Sequence, residues 1–120
     1  MNQADENVAS YLPLTPPVFH VLIALADGKK HGYAILREVD ERTDGKVRLS
    51  SGTLYAIIKR LLNDGLIEET EERPDEDDER RRYYGLTSFG RKVAAAEAER
   101  MEEMLAAART KKLIRKPRMV

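Results

Sequence analysis

Val18, Leu22 and Leu25, flanked by Phe19 and Ile23, recur at the spacing of a wide apolar helical face. Thr15-Pro16-Pro17 stands in front of them as a cap position followed by prolines in a first turn, where a missing amide hydrogen costs nothing. The pattern predicts a helix from there until Asp27-Gly28, buried on most of its circumference. Tyr33, Ile35, Leu36 and Val39 then predict a second, amphipathic helix from about His31 to Arg42, closed by Thr43-Asp44-Gly45 and charged on its other face through Arg37, Glu38, Asp40 and Glu41. Ser50 or Ser51 caps a third helix that runs to Asn63 or Asp64 and stops at Gly65. At 100° per residue, Leu54, Ile57, Ile58, Leu61 and Leu62 share one arc that must face a core. The opposite arc holds Gly52, Ala56, Lys59 and Asn63, with Thr53 and Arg60 to one side and Tyr55 to the other.

Past Gly65 the pattern changes. Leu66 and Ile67 lead weakly into Thr70, and Arg82 to Leu86 is a second short run rich in Tyr, so the two are expected to pair as a hairpin whose tip carries Pro74 and consecutive acids. Thr87 or Ser88 caps a last helix, which continues through the Ala-rich stretch from Val93 to Ala108 without Gly or Pro until Pro117. Phe89, Val93, Ala96, Met101, Met104, Leu105 and Ala108 form an apolar stripe on it, larger than a three-helix core can cover. A partner copy of the helix covers such a stripe; folding back on the chain's own core is the alternative. The fold class expected is mainly α with a small β-hairpin, a winged helix-turn-helix followed by a long C-terminal dimerisation helix. The division is a flexible or helical arm over 1–13, a winged-helix domain over 14–87, the dimerisation helix over 88–114 and a basic tail over 115–120.

Charge changes this picture in one respect. The 21 basic and 21 acidic side chains cancel, whereas a nucleic-acid-binding domain is usually basic. The sum conceals segregation. Glu68, Glu69, Glu71, Glu72, Asp75, Glu76, Asp77, Asp78 and Glu79 cluster at the hairpin, and Arg109, Lys111, Lys112, Arg115, Lys116 and Arg118 cluster at the end of the chain. A neutral total is compatible with a basic binding face. The tail reads as solvated, with non-specific phosphate contact as the alternative. With no Cys there is no disulfide or thiolate chemistry, and no apolar run approaches a membrane span, which points to a soluble, cytoplasmic protein.

The candidate chemistry is recognition, not catalysis. Small residues early in the third helix let its first turns approach another surface, where hydroxyls and amides donate to phosphate oxygens. Arg80, Arg81, Arg82, Tyr83 and Tyr84 along the return strand place guanidinium groups beside rings, a combination suited to a wing on DNA; the arginines equally neutralise the acids before them. His20 and His31 have no metal partners at useful spacing and are read as structural. Asp75, Asp77 and Glu79 alternate as a calcium loop begins, but Arg80 and Leu86 stand where the loop needs Gly and a bidentate acid. No nucleophile elbow, phosphate-cradling loop or apolar-set carboxylate pair is present, so neither an enzyme nor a cofactor is expected.

Four stretches in register over residues 14 to 92 give the chain a family likeness: Leu22 to Ala26 leading into His31-Gly32-Tyr33-Ala34-Ile35; Leu49-Ser50-Ser51-Gly52-Thr53-Leu54-Tyr55; Lys59-Arg60-Leu61 through Asp64-Gly65-Leu66-Ile67; and Arg81-Arg82-Tyr83-Tyr84-Gly85-Leu86-Thr87 with Gly90-Arg91. The sequence resembles the PadR family of repressors. It departs from the pattern at Ala56-Ile57-Ile58, where a Pro-Ala-Leu type sequence is common, and in its acidic wing tip from Pro74 to Glu79. The resemblance implies a dimer paired through the C-terminal helix and a recognition helix presenting Ser51, Thr53, Tyr55 and Lys59 to double-stranded DNA. Ser50 and Arg60 flank that surface. It further implies Tyr33 near the phosphate backbone, Arg81 and Arg82 in the wing, an inverted-repeat operator, and release by a small-molecule effector near the dimer interface or between the last helix and the winged domain. A winged-helix protein-interaction module without specific DNA binding is the alternative, and a ligand sensor that has lost DNA affinity is a second.

Overall fold

The structure, a computed structural model, describes residues 7–71 and 81–115. The expected hairpin tip from Pro74 to Glu79, Arg80, the tail residues Lys116 and Arg118 and the first half of the N-terminal arm lie outside the described residues. A helical turn at 7–9 is followed by α1 (Pro16–Ala24), β1 (Lys30–His31), α2 (Gly32–Arg42), α3 (Ser51–Asn63), β2 (Ile67–Thr70), β3 (Tyr83–Leu86) and α4 (Ser88–Thr110). The three strands form one antiparallel sheet in the order β1-β3-β2. The fold is a winged helix with a long C-terminal helix, as the hydrophobic pattern predicts. The hairpin is joined by a third strand, in which His31 lies opposite Tyr83. No described helix is long and apolar enough to cross a membrane.

Each helix delivers its apolar face to a single core. Val21, Leu22 and Leu25 meet Ile35 and Val39 of α2, Leu54, Ile58 and Leu61 of α3, and Leu66 and Ile67 at the entry to β2. Burying a Leu or Ile side chain contributes about 1.5–3 kcal/mol, so this cluster supplies most of the drive to fold. Ile57 and Leu62 sit half-buried at the margins of the α3 face.

Several element ends differ from expectation. Thr15 occupies the cap position of α1, but its hydroxyl makes no capping bond; Pro17 removes one of the two amides it serves. Regular α1 ends at Ala24, not at Asp27-Gly28, because tighter turns take over: Ala26 N donates to Ile23 O at 3.0 Å. The Lys30 ammonium donates to the Ala24 carbonyl at 2.6 Å and pairs with Asp27 and Glu38, placing a cation where the helix dipole is negative. At the other end of the chain α4 stops at Thr110, before residue 114, with Leu113 N donating to Ala108 O at 2.9 Å and Lys112 taking the left-handed φ of 62° that glycine usually fills.

Thr87 fixes how α4 leaves the sheet. Its hydroxyl accepts from Gly90 N at 2.9 Å and donates to Gly65 O at 2.6 Å, while its own amide donates to Leu66 O at 3.1 Å. The first turn of α4 therefore lies directly on the backbone that enters β2. A Cβ on Gly90 would stand 1.8 Å from the Leu66 carbonyl oxygen, so only glycine fits there. Further along, Glu97 is fully buried, accepts from Leu14 N, and pairs with Arg100 at 2.5 Å. That carboxylate ties the segment before α1 to α4, and Tyr11 meets Phe89 edge-on at 5.7 Å beside it.

Candidate nucleic-acid interface

α3 begins with its own cap. The Ser50 hydroxyl accepts from Thr53 N at 3.1 Å and donates to Thr53 Oγ1 at 2.9 Å. Ser51, Gly52, Thr53, Tyr55, Ala56, Lys59, Arg60 and Asn63 are all exposed, opposite the buried Leu54, Ile58 and Leu61. The helix thus carries a continuous polar face with small residues in its first turn. Arg60 leans toward Asp64 at 3.8 Å, and Lys59 is exposed one residue before it.

Beside the first turns of α3, a cleft of about 430 Å³ is lined by His31, Gly32, Tyr33, Tyr55, Arg81, Arg82 and Tyr84. Three elements converge on it: the α2 start brings His31 to Tyr33, α3 brings Tyr55, and β3 with the residues before it brings the arginines and Tyr84. Tyr33 and Tyr55 are 59% and 53% exposed, unusual for rings this large unless a surface is kept for a partner. Gly32 makes the approach possible, since a Cβ there would lie 2.9 Å from the Tyr55 hydroxyl. His31 and Tyr33 stack at 6.4 Å, and the Arg37 guanidinium lies 5.9 Å from the Tyr33 ring centre. Arg82 faces Glu69 across the β2–β3 pair at 3.8 Å. Burial raises the pKa of the Tyr84 phenol, with Glu69 and Tyr55 adding to the rise and Arg82 opposing it, so the phenol keeps its proton as a donor. The cleft is lined by cations, phenols and an imidazole, without a carboxylate among the described lining residues.

Of the residues expected to contact DNA, Tyr33, Tyr55, Arg81 and Arg82 meet in this cleft, Ser50, Ser51 and Thr53 lie at the α3 start, and Lys59 and Arg60 lie further along α3. His31 and Tyr84 belong to the cleft and were not anticipated as part of it. His31 was readable as the cap before Tyr33, and the structure shows its Nδ1 accepting from Ala34 N at 3.1 Å. Among the described residues no group of acids and imidazoles gathers that could hold a metal ion.

The apolar stripe of α4 divides. Val93 is fully buried in the chain's own core, which corrects its expected place on a dimer face, and Phe89 is half-buried against Tyr11. The reason is the tight seat of the first turn at Gly90, which turns these positions inward. Ala96, Met101 and Ala108 are half-buried, whereas Met104 and Leu105 are 53% and 45% exposed on the outer turns.

Comparison with known proteins agrees with this architecture. Residues 21–96 match the transcriptional regulator PadR-like family. An uncharacterised 37.1 kDa protein in transposon TN4556 of Streptomyces fradiae is 40% identical over 84 residues, which are 70% of this chain and 22% of that relative's length. A PadR family transcription regulator from Clostridium difficile R20291 superimposes with a TM-score of 0.67 at 24% identity, covering 78% of this chain and 94% of the other. Bacillus subtilis PadR, in its complex with operator DNA, superimposes at 0.58 with 18% identity over 88% of this chain and 51% of that one. The matched family is one of transcriptional regulators, not of enzymes. By fold, by the motifs that build this cleft and by the match over residues 21–96, the chain belongs to the PadR-like family.

Proposed function

We propose that the chain is a sequence-specific double-stranded-DNA-binding repressor that acts as a homodimer on an inverted-repeat operator and is released by a small-molecule effector. The observation that carries this reading is the exposed polar face of α3, set beside a cleft of arginines and exposed tyrosines. In this reading the α3 start enters the major groove, with Ser51, Thr53, Tyr55 and Lys59 toward the bases and phosphates. Tyr33, Arg81 and Arg82 meet the flanking backbone. The operator complex of the B. subtilis relative supports the same use of the fold here.

Dimerisation through α4 is supported by Met104 and Leu105 on its outer turns and by Leu113 and Ile114 just beyond them, 77% and 40% exposed. An apolar groove of about 310 Å³ between α1 and α4, walled by Phe19, Ile23, Leu86 and Ala98, offers such side chains a seat on a second copy. Two-fold pairing sets two α3 helices on one duplex face about one helical turn apart, hence an inverted repeat. An effector that binds near this interface changes the spacing of the two helices and so the fit to the operator.

One observation favours a second reading. Glu68 and Glu69 are exposed on β2 and the chain carries no net charge, which suits a protein-interaction module that does not bind specific DNA. Incubating the protein with fragmented DNA of its own organism near physiological salt, then sequencing what is retained, separates the two. A shared inverted repeat supports the regulator; recovery no better than a protein-free control supports the interaction module.

A further inference from the structure

Tyr33, Arg37 and Asp40 follow one another at helical spacing along one face of α2. The Arg37 guanidinium lies 5.9 Å from the Tyr33 ring centre, and the same arginine lines a second cleft, of about 340 Å³, whose other walls are Leu36, Asp40, Arg48 and Leu49. Leu49 directly precedes Ser50, the cap of α3. The two clefts are thus joined through the contact of Tyr33 with Arg37, and both border the approach to α3: Tyr55 of its first turns lines one, and the residue before its cap lines the other.

The cations of this second cleft are already paired. Arg48 Nε donates to Asp40 Oδ1 at 3.1 Å, and Arg37 Nη2 donates to Glu41 Oε1 at 3.3 Å. Each contact engages one nitrogen of a group that carries five N–H donors. All four side chains reach solvent, and an exposed ion pair adds little net stability, so either pair opens readily to a stronger anion. Gly45, at φ 75°, brings the turn against the Asp40–Arg48 pair: a Cβ there would lie 3.4 Å from Arg48 Nη2 and 3.5 Å from Asp40 Oδ1, and its absence leaves the pair uncovered from that side. Of the neighbouring charges, Glu38 is engaged with Lys30 and Arg42, while Asp44 and Lys46, both exposed in the turn, are of opposite sign.

We propose that the cleft walled by Arg37 and Arg48 holds a phosphodiester of bound DNA beyond those met at the α3 start, and that Asp40 and Glu41 compete with it for the two guanidiniums. The inference rests on the DNA-binding reading above, to which it adds two arginines and an opposing pair of acids. In the free protein the carboxylates keep the guanidiniums in place beside the cleft. In the complex the phosphate oxygens accept from the donors that each ion pair leaves over, and the counterions released from the duplex favour the phosphate over a side-chain carboxylate, most at low salt. The acids stay close and repel the phosphate, so affinity is held below what the arginines alone would give.

The test is the affinity of the full chain for a labelled duplex of mixed sequence, measured over a series of salt concentrations for the wild type and three variants whose folding is checked by thermal unfolding. Arg48→Gln is expected to weaken binding about three- to tenfold at low salt and to make the salt slope shallower by about 0.9 per protomer. Arg48→Lys keeps the charge and so most of the slope. Asp40→Asn, which keeps an acceptor oxygen for Arg48 Nε but loses the repelling charge, tightens binding about two- to threefold at low salt. Opposite signs for Arg48→Gln and Asp40→Asn are the signature, because a purely structural pair gives no variant that binds more tightly. Arg48→Gln with the wild-type affinity and slope, or Asp40→Asn no tighter than the wild type, overturns the inference and leaves the DNA reading standing. A wild type that does not bind the duplex even at low salt overturns both.

Discussion

The Tyr55 hydroxyl of α3 stands 2.9 Å from the place a Cβ on Gly32 of α2 would occupy. The closeness lets α3 and the α2 start share one cleft, and it is adjustable because Tyr55 is an exposed, rotatable side chain. Gly32→Ala therefore moves the ring and leaves the core in place. The expected outcome is an unchanged or slightly raised thermal midpoint, since alanine restricts the unfolded chain, with DNA affinity lowered about fivefold, ~1 kcal/mol. Parallel thermal unfolding and duplex titrations check it.

Gly90 is the opposite case. Its would-be Cβ meets the Leu66 carbonyl oxygen at 1.8 Å, and that atom belongs to backbone that also serves Thr87. Neither side can give without moving α4 off the sheet. Gly90→Ala is expected to destabilise the fold by about 3 kcal/mol or more, read as a lowered midpoint in urea unfolding.

Glu97 is fully buried, and its partners are the Leu14 amide and Arg100. Glu97→Ala leaves a donor unpaired and is expected to cost about 1–3 kcal/mol, with faster hydrogen exchange at Leu14. Glu97→Gln keeps an acceptor oxygen for that amide, so exchange there stays closer to wild type. Equal exchange in all three proteins contradicts the tether.

His20 carries a pH dependence of stability. Arg42 Nη1 lies 2.9 Å from His20 Nδ1 and Nη2 donates to the His20 carbonyl at 3.1 Å. Burial first, and the Arg42 charge second, lower its pKa from 6.5. The unfolded chain then holds the proton more readily than the folded one. The stabilising contribution is complete above about pH 6.5 and is lost as pH falls through the lowered folded value. His20→Gln removes that component, so the wild-type and variant unfolding midpoints converge toward acid pH.

The parts legible in the sequence are those in which one residue type serves one local rule. The period of Leu54, Ile58 and Leu61 identified both faces of α3, and Ser50 and Thr87 marked helix starts through capping chemistry that needs only their near neighbours. β1 was not legible because two residues have no period; only their pairing with Tyr84 and Tyr83, 54 and 52 positions on, makes Lys30 and His31 a strand. The contact of His31 with Arg81 joins positions 50 apart through the same pairing. Glu97 did leave a signal. It lies four residues from both Val93 and Met101, on the apolar stripe itself, where a carboxylate needs a buried partner. Val93 was misplaced because the stripe alone does not say which turns of α4 lie on the chain's own core.

The central claim, that the exposed face of α3 reads DNA, is tested most directly by the affinity of wild type, Tyr55→Ala and Lys59→Ala for duplexes recovered by selection, at one fixed salt concentration, with the oligomeric state followed by sedimentation. The account predicts an unchanged assembly and a loss of about 1–3 kcal/mol for a side chain that reads a base, or a weaker, sequence-independent loss with a shallower salt slope for one that meets phosphate. Variants that bind every recovered duplex as the wild type does, with the same salt slope, contradict it.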